Sequence, residues 1–177
     1  MKNFKLLIVC LSTSLIISVG CQHAPAKPVT ETPDSDLQNE IALETKKMES
    51  FGDRYAKAWS SQQPDHVAAF FATNGSLKVN DGSTAIGRDA IAKVAEGFMK
   101  AFPDMIVTKD TMIVTKYGIE FHWTLSGTNT GPKGTGKKVK FSGFEAWQMS
   151  ADGLIQLSIG NFDATEYNRQ LKYGVSE

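Results

Sequence analysis

The sequence predicts an α+β fold, in which a curved antiparallel sheet packs on three helices. Three observations carry this. Up to Phe102, apolar residues recur at spacings of three and four, the period of an amphipathic helix. After Pro103 the period falls to two over four segments separated by turn residues, the pattern of half-buried strands. No internal repeat is present, so helices and strands are segregated along one chain rather than alternating, which is the α+β arrangement. A strongly bent sheet wrapped against the long helices makes a cone with an apolar interior, and such interiors are natural small-molecule sites.

The elements follow in order. From Leu37 to Ser61 the pattern is helical, with Met48, Phe51, Tyr55, Ala58 and Trp59 on one stripe. The part before Met48 is mostly polar and is expected to be exposed. Gln63-Pro64-Asp65 opens a short second helix, Pro64 being tolerated in the first turn, with Val67, Phe70 and Phe71 as its buried face. Thr73-Asn74-Gly75-Ser76 reads as a turn, Leu77 to Asn80 as a short strand, and Asp81-Gly82-Ser83 as a second turn. A third helix runs from Arg88 to Phe102 and Pro103 ends it. Strands are expected at Met105–Lys116, Ile119–Thr128, Val139–Ser150 and Leu154–Asp163, with hairpin turns at Tyr117-Gly118 and Ala151-Asp152-Gly153. A long Gly-, Thr- and Lys-rich loop separates the second and third of these strands, and Ala164 to Lys172 reads as a closing helical turn.

Ahead of the domain stands an address. Lys2 and Lys5 precede an uncharged run from Leu6 to Val19, the layout of a secretory signal. The run is shorter than the ~20 residues a spanning helix needs. It ends at Ser18-Val19-Gly20-Cys21, which resembles a bacterial lipobox. That resemblance implies cleavage after residue 20 and acylation of Cys21, hence a lipid anchor in the cell envelope. Gln22 rather than Asp follows Cys21, which by resemblance to enterobacterial sorting points to the outer membrane. Residues 21–36, with three prolines and no aromatic residue after Cys21, read as a semi-extended tether, and 37–177 as the folded domain.

Composition narrows the function. Lys plus Arg and Asp plus Glu are both 19 in the 177 residues, so the basic surplus that collects phosphates is missing and no nucleic-acid partner is expected. At 41% hydrophobic the chain is built to bury a core. The cysteines are Cys10 and Cys21; the first leaves with the signal and the second is the acylation candidate, so thiol chemistry is not expected. His66 and His122 form no metal-binding spacing, and no metal is expected. Gly131 to Lys138 nearly spells a phosphate-binding loop, but it joins two strands instead of leading into a helix N-terminus, and its lysines read as a solvated basic rim.

A set of phrases carries a family resemblance. Phe102-Pro103-Asp104 follows the third helix. Trp123 to Gly131 then reads Trp-Thr-Leu-Ser-Gly-Thr-Asn-Thr-Gly, and Thr135 to Val139, Phe141-Ser142-Gly143-Phe144-Glu145, Asp152-Gly153-Leu154-Ile155, Phe162-Asp163 and Gln170-Leu171 come after it in order. In this order the chain resembles the SnoaL-like polyketide cyclases (ester cyclases) of the NTF2-like superfamily, over roughly Glu49 to Gly174. The resemblance implies a cone-shaped domain and a carboxylate general acid/base acting on an intramolecular aldol closure, without metal or cofactor. Two departures stand out: Asn129 occupies a position where the family usually has His, and the last strand reads Leu157-Ser158-Ile159 where an acid and a tryptophan are usual. The family carboxylate corresponds either to Asp163 or to the place held by Leu157.

Strand alternation sorts the candidates. Phe141, Gly143, Glu145, Trp147 and Met149 share a face, which puts Glu145 among aromatic and sulfur neighbours. Burial there raises a carboxyl pKa and suits a proton shuttle; a paired, satisfied carboxylate is the alternative. On the last strand Ile155, Leu157, Ile159, Asn161 and Asp163 are expected to share a face, with Asp163 near the rim as a second acid/base candidate or as the N-cap of the helix that follows. Tyr55 and Trp59 line the pocket or pack the core. Trp123 and Trp147 are further lining candidates, and Asn129 joins Tyr55 as a polar orienter. His122 falls on the polar face of its strand.

Three functions remain open on these residues. The first is an extracytoplasmic lipoprotein whose pocket binds a small apolar molecule. The second is a cofactor-independent ester cyclase or isomerase using Asp163 or Glu145 on a carbonyl substrate. The third is a homodimeric interaction module using the outer sheet face.

Overall fold

The computed structural model describes residues 35–115 and 117–175. The signal, Cys21 and almost all of the tether lie outside the described residues. The elements are α1 (Ser35–Ser60), α2 (Pro64–Ala68), β1 (Phe71–Val79), β2 (Ala85–Ile86), α3 (Arg88–Ala101), β3 (Ile106–Thr115), β4 (Gly118–Thr128), β5 (Lys138–Met149), β6 (Ile155–Phe162) and α4 (Ala164–Tyr173). The strands form one sheet in the order β2-β1-β6-β5-β4-β3. Every neighbouring pair is antiparallel except β1 and β6, which run parallel. The sheet is therefore mixed rather than wholly antiparallel.

The helices cover its inner face. The stripe of α1 predicted from spacing is the stripe that is buried: Phe51, Tyr55, Ala58 and Trp59 are in the core. They meet Phe121, Leu125, Phe141, Trp147 and Ile155 from the strands. Tyr55 stands edge-on to Trp147 and to Phe121, at 5.1 and 5.4 Å between centroids, and Phe121 stacks on Trp147 at 5.0 Å. These offset and edge-to-face contacts are the favoured geometries for aromatic rings. The N-terminal half of α1 stands out in solvent, with Leu37, Ile41 and Leu43 each more than half exposed, in line with its polar composition.

Besides the two-residue strand β2, which the sequence reading did not expect, two stretches differ from the sequence expectation. Phe71 belongs to β1 rather than α2, and Thr73 to Ser76, four residues of turn-forming type, lie inside β1. The ladder with β6 jumps from Phe71–Ile155 to Ser76–Leu157, so this segment bulges instead of turning. Gly75 permits it: a Cβ there would lie 2.7 Å from the carbonyl oxygen of Ile155. The partner strand overrides local preference, as is usual for β-structure.

The second difference is in β6. Met149 pairs with Ile155 but Gln148 pairs with Leu157, so Gln156 is an extra residue, a β-bulge. Because side chains alternate with a period of two, one extra residue exchanges the faces beyond it. Ile155, Ser158 and Gly160 are buried while Ile159 is 40% exposed. The expected inward face of Leu157, Ile159, Asn161 and Asp163 is thus corrected: the residues between them point in.

Candidate functional site

The bulge assembles the site. Glu145 faces inward from the middle of β5, 6% exposed, as alternation along that strand predicts. Across the β5–β6 ladder, Trp147 is opposite Ser158, which the extra residue Gln156 has turned into the interior. Three donors converge on one carboxylate oxygen of Glu145. Ser158 Oγ–H reaches Oε2 at 2.6 Å, Trp147 Nε1–H at 3.0 Å and the Tyr55 hydroxyl at 3.0 Å. Among the described residues, the other oxygen, Oε1, has only the long second contact to Tyr55, 3.4 Å.

Burial dominates the electrostatics. Desolvation raises the Glu145 pKa above the ordinary carboxylate range, and the donors from Ser158, Trp147 and Tyr55 pull it partly back. Tyr55 is pushed well above the usual phenol value, first by burial and then by the neighbouring Glu145 charge. It therefore remains a donor at every physiological pH. Oε2 carries three donors, so when Glu145 takes up a proton it sits on Oε1.

Glu145 is also part of the wall of an interior cavity. The other lining residues are Trp59, Val79, Phe98, Val107, Phe121, Trp123, Leu125, Gly160 and Phe162, so the ionisable group sits in an otherwise hydrocarbon and aromatic wall. In this conformation the space open to a water centre is about 40 Å³, enough for a few waters and below the ~300–1,000 Å³ of typical ligand pockets. The expected roomy cone is largely filled by its own aromatic side chains.

The sequence candidates divide. Glu145, Trp59 and Trp123 line the cavity. Tyr55 and Trp147 do not line it but hold Glu145 from behind. Asp163 lies away from it: exposed, it caps α4, its Oδ1 accepting from the backbone N–H groups of Thr165 and Glu166 at 2.8 and 3.0 Å. Asn129 does not reach the cavity either. It is buried in the β4–β5 connection, where Nδ2 donates to Ala101 O at 3.1 Å and Oδ1 accepts from Thr135 N at 2.8 Å. It ties that loop to the end of α3, which is why it cannot orient a guest. His122 sits on the outer face against Glu120, 3.0 Å away, and Phe144. Sequence reasoning missed Ser158, whose inward direction depends on the bulge. It also missed Phe98 and Phe162 as lining residues.

Comparison with known proteins agrees with this architecture. No curated protein matches the chain. Among solved structures, a candidate SnoaL-like polyketide cyclase from Jannaschia sp. CCS1 superposes with a TM-score of 0.63 at 13% identity, over 74% of this chain and 94% of that one. A phenazine biosynthesis-related protein from Pseudomonas aeruginosa gives 0.58 at 18% identity, over 78% and 94%. A protein of ketosteroid isomerase-like fold from Catenulispora acidiphila DSM 44928, in complex with trimethylamine, gives 0.59 at 16% identity, over 67% and 89%. Likenesses at such identities show the fold, which is NTF2-like, or ketosteroid isomerase-like. Residues 50–171, well over half of the chain, match the family model described as SnoaL-like polyketide cyclase, and the chain belongs to that family.

Proposed function

We propose that the protein is an extracytoplasmic lipoprotein whose Glu145 transfers protons at the carbon next to a carbonyl of a small apolar compound, leading to ring closure or isomerisation. Membership of the family supports a cyclase- or isomerase-type function. The single observation that carries the residue assignment is Glu145 itself, a buried carboxyl in an apolar cavity with one oxygen saturated by donors and the other almost free. As a carboxylate, Oε1 accepts the α proton; as a carboxylic acid, the same oxygen returns it. A pKa raised by burial brings the two forms closer to balance at neutral pH, where general acid–base catalysis is most effective and contributes ~10²–10⁴-fold. Entry of such a compound requires the aromatic lining to move aside.

Deuterium exchange into a panel of β-keto esters tests this. Wild type and Asp163→Asn are expected to exchange at equal rates, since Asp163 caps a helix. Glu145→Gln keeps an oxygen for the three donors and loses the base, and is expected to exchange at least a hundredfold more slowly, within the ~10²–10⁴-fold contribution of such a group. Unchanged exchange in Glu145→Gln would make Glu145 a clasp between α1, β5 and β6 and overturn the assignment. The apolar lining also suits a second reading, capture of a lipid-like molecule without turnover. Absence of exchange in all three proteins, with a co-purifying lipid seen by native mass spectrometry, selects that reading.

A further inference from the structure

Two polar atoms of the interior are left over once Glu145 has its donors. Trp59 Nε1 and Trp123 Nε1 are buried, and among the described residues neither has a hydrogen-bond partner. Both indoles line the cavity that holds Glu145. Trp59 is 7% exposed. Its indole is near enough to the Tyr55 hydroxyl to lower that group's pKa, yet the two do not form a hydrogen bond of acceptable geometry. Trp123 lies over Gly143: a Cβ at Gly143 would stand 2.6 Å from Cζ2 and 2.9 Å from Cη2 of the ring. Phe141 and Phe162 close on the same indole edge-on, at 5.8 and 6.3 Å between centroids.

A buried N–H without an acceptor costs stability, and phenylalanine would fill most of the same space without that cost. Glu145 Oε2 is already taken by three donors, and the remaining lining side chains are hydrocarbon or aromatic. Among the described residues, the acceptors near these donors are the Tyr55 hydroxyl, which Trp59 approaches without bonding, and the open Glu145 Oε1, which neither indole reaches; an oxygen of a guest in the cavity would supply what both donors lack.

We infer that the indole N–H groups of Trp59 and Trp123 donate to oxygen of the bound substrate, which makes the substrate an apolar carbonyl compound and these two tryptophans catalytic residues. The inference rests on the acid/base reading of Glu145 and extends it. When Glu145 takes the α proton, the C–H electron pair becomes the carbon–carbon double bond of an enolate and the carbonyl π pair moves onto oxygen. The indole N–H groups then donate to the negatively charged enolate oxygen from an apolar wall, where preorganised donors act most strongly. Reprotonation of carbon by Glu145 reverses the electron flow and leaves the protein unchanged.

The test is a ¹⁵N–¹H spectrum of the three tryptophan indoles in the full chain, titrated with ethyl acetoacetate and separately with toluene, an apolar probe without oxygen. The Trp59 and Trp123 signals are expected to move downfield with the keto ester and not with toluene, while Trp147, already bonded to Glu145, stays in place. Trp59→Phe and Trp123→Phe each identify one signal by its loss. Each is also expected to lower the turnover of α-proton exchange by about tenfold to a hundredfold, somewhat less than the loss of an oxyanion donor of the best-placed kind, with KM little changed. Signals unmoved by the keto ester at its highest soluble concentration would overturn the inference, as would full turnover in both variants. Should either variant fail to fold, the wild-type titration still decides, because two of three signals must move. Glu145→Gln separates the two claims. Exchange surviving in it defeats the base assignment alone, whereas indole shifts persisting in it support the donors regardless of the base.

Discussion

Glu145, the proposed acid/base, also makes stability depend on pH. Its pKa is raised in the folded state, so the folded protein holds its proton more tightly than the unfolded chain does. Between the two pKa values the native state binds more protons, and by linkage stability falls as pH rises through that window. The contribution is fully present below the ordinary carboxylate value near 4.5 and is lost as pH climbs through the raised value. Glu145→Gln removes this titration while keeping an acceptor for Ser158, Trp147 and Tyr55. The variant is therefore expected to gain stability over wild type progressively as pH rises from the ordinary carboxylate value to the raised one and to gain no more above it, read as the difference between two melting curves across pH. A difference independent of pH would show that Glu145 does not titrate on folding. Asp104 behaves in the opposite sense. Bonds from the hydroxyl and backbone N–H of Thr128 lower its pKa, so it favours the fold at higher pH and loses that effect on acidification, but its exposure keeps the effect small.

At the scale of the element, the bulge in β6 decides which side chains meet Glu145. Residues 154–163 have the composition of a strand, and a regular strand starting at Ile155 would turn Leu157 and Ile159 inward. The extra residue Gln156 instead turns Ser158 inward and leaves Ile159 outside. Pairing on both sides of the bulge would remain in phase if Gln156 were removed, since Met149 already faces Ile155 and Gln148 faces Leu157. Deletion of Gln156 is therefore expected to cost about 0.5–3 kcal/mol, the range of ordinary single changes, with Ser158 still on Glu145. Deletion of Ile159 puts Gly160 and Phe162 out of phase with the interior, a one-residue slip that reverses a whole face, and is expected to prevent folding. Thermal melts of the two deletions check this, and equal tolerance of both would show that the bulge does not set the register. The same physics explains why the segment 73–76 reads as a turn and folds as strand. Its turn-forming residues state a local preference, while Gly75 and the parallel partner β6 supply the tertiary one.

At the scale of the whole molecule, the described domain is the part that folds around Glu145, and the proposed anchor lies ahead of it in the chain. The proposed lipid anchor predicts that Cys21→Ala abolishes globomycin-sensitive processing and releases the protein from the membrane fraction. Retention of that variant in the membrane would overturn the anchor. Much of the domain was legible in the sequence because helix stripes and strand alternation are local patterns. Spacing alone identified Phe51, Tyr55 and Trp59 on one helix face, and Glu145 and Trp147 on one strand face. Asp163 shows the limit: its sequence position suits both a rim carboxylate and a helix cap, and its bonds to Thr165 and Glu166 make it the cap. Asn129 shows it again, since a family-like position in the sequence became a loop tie once α3 was packed against it. The sequence by itself determined the order of the helices and long strands and the buried faces of α1 and β5, all written in residues near one another along the chain. Only the tertiary structure decided the parallel β1–β6 pair, the bulge that brings Ser158 to Glu145, and the near-filling of the cone by aromatic rings. Those depend on which distant strands and side chains compete for the same space, and no local period encodes that competition.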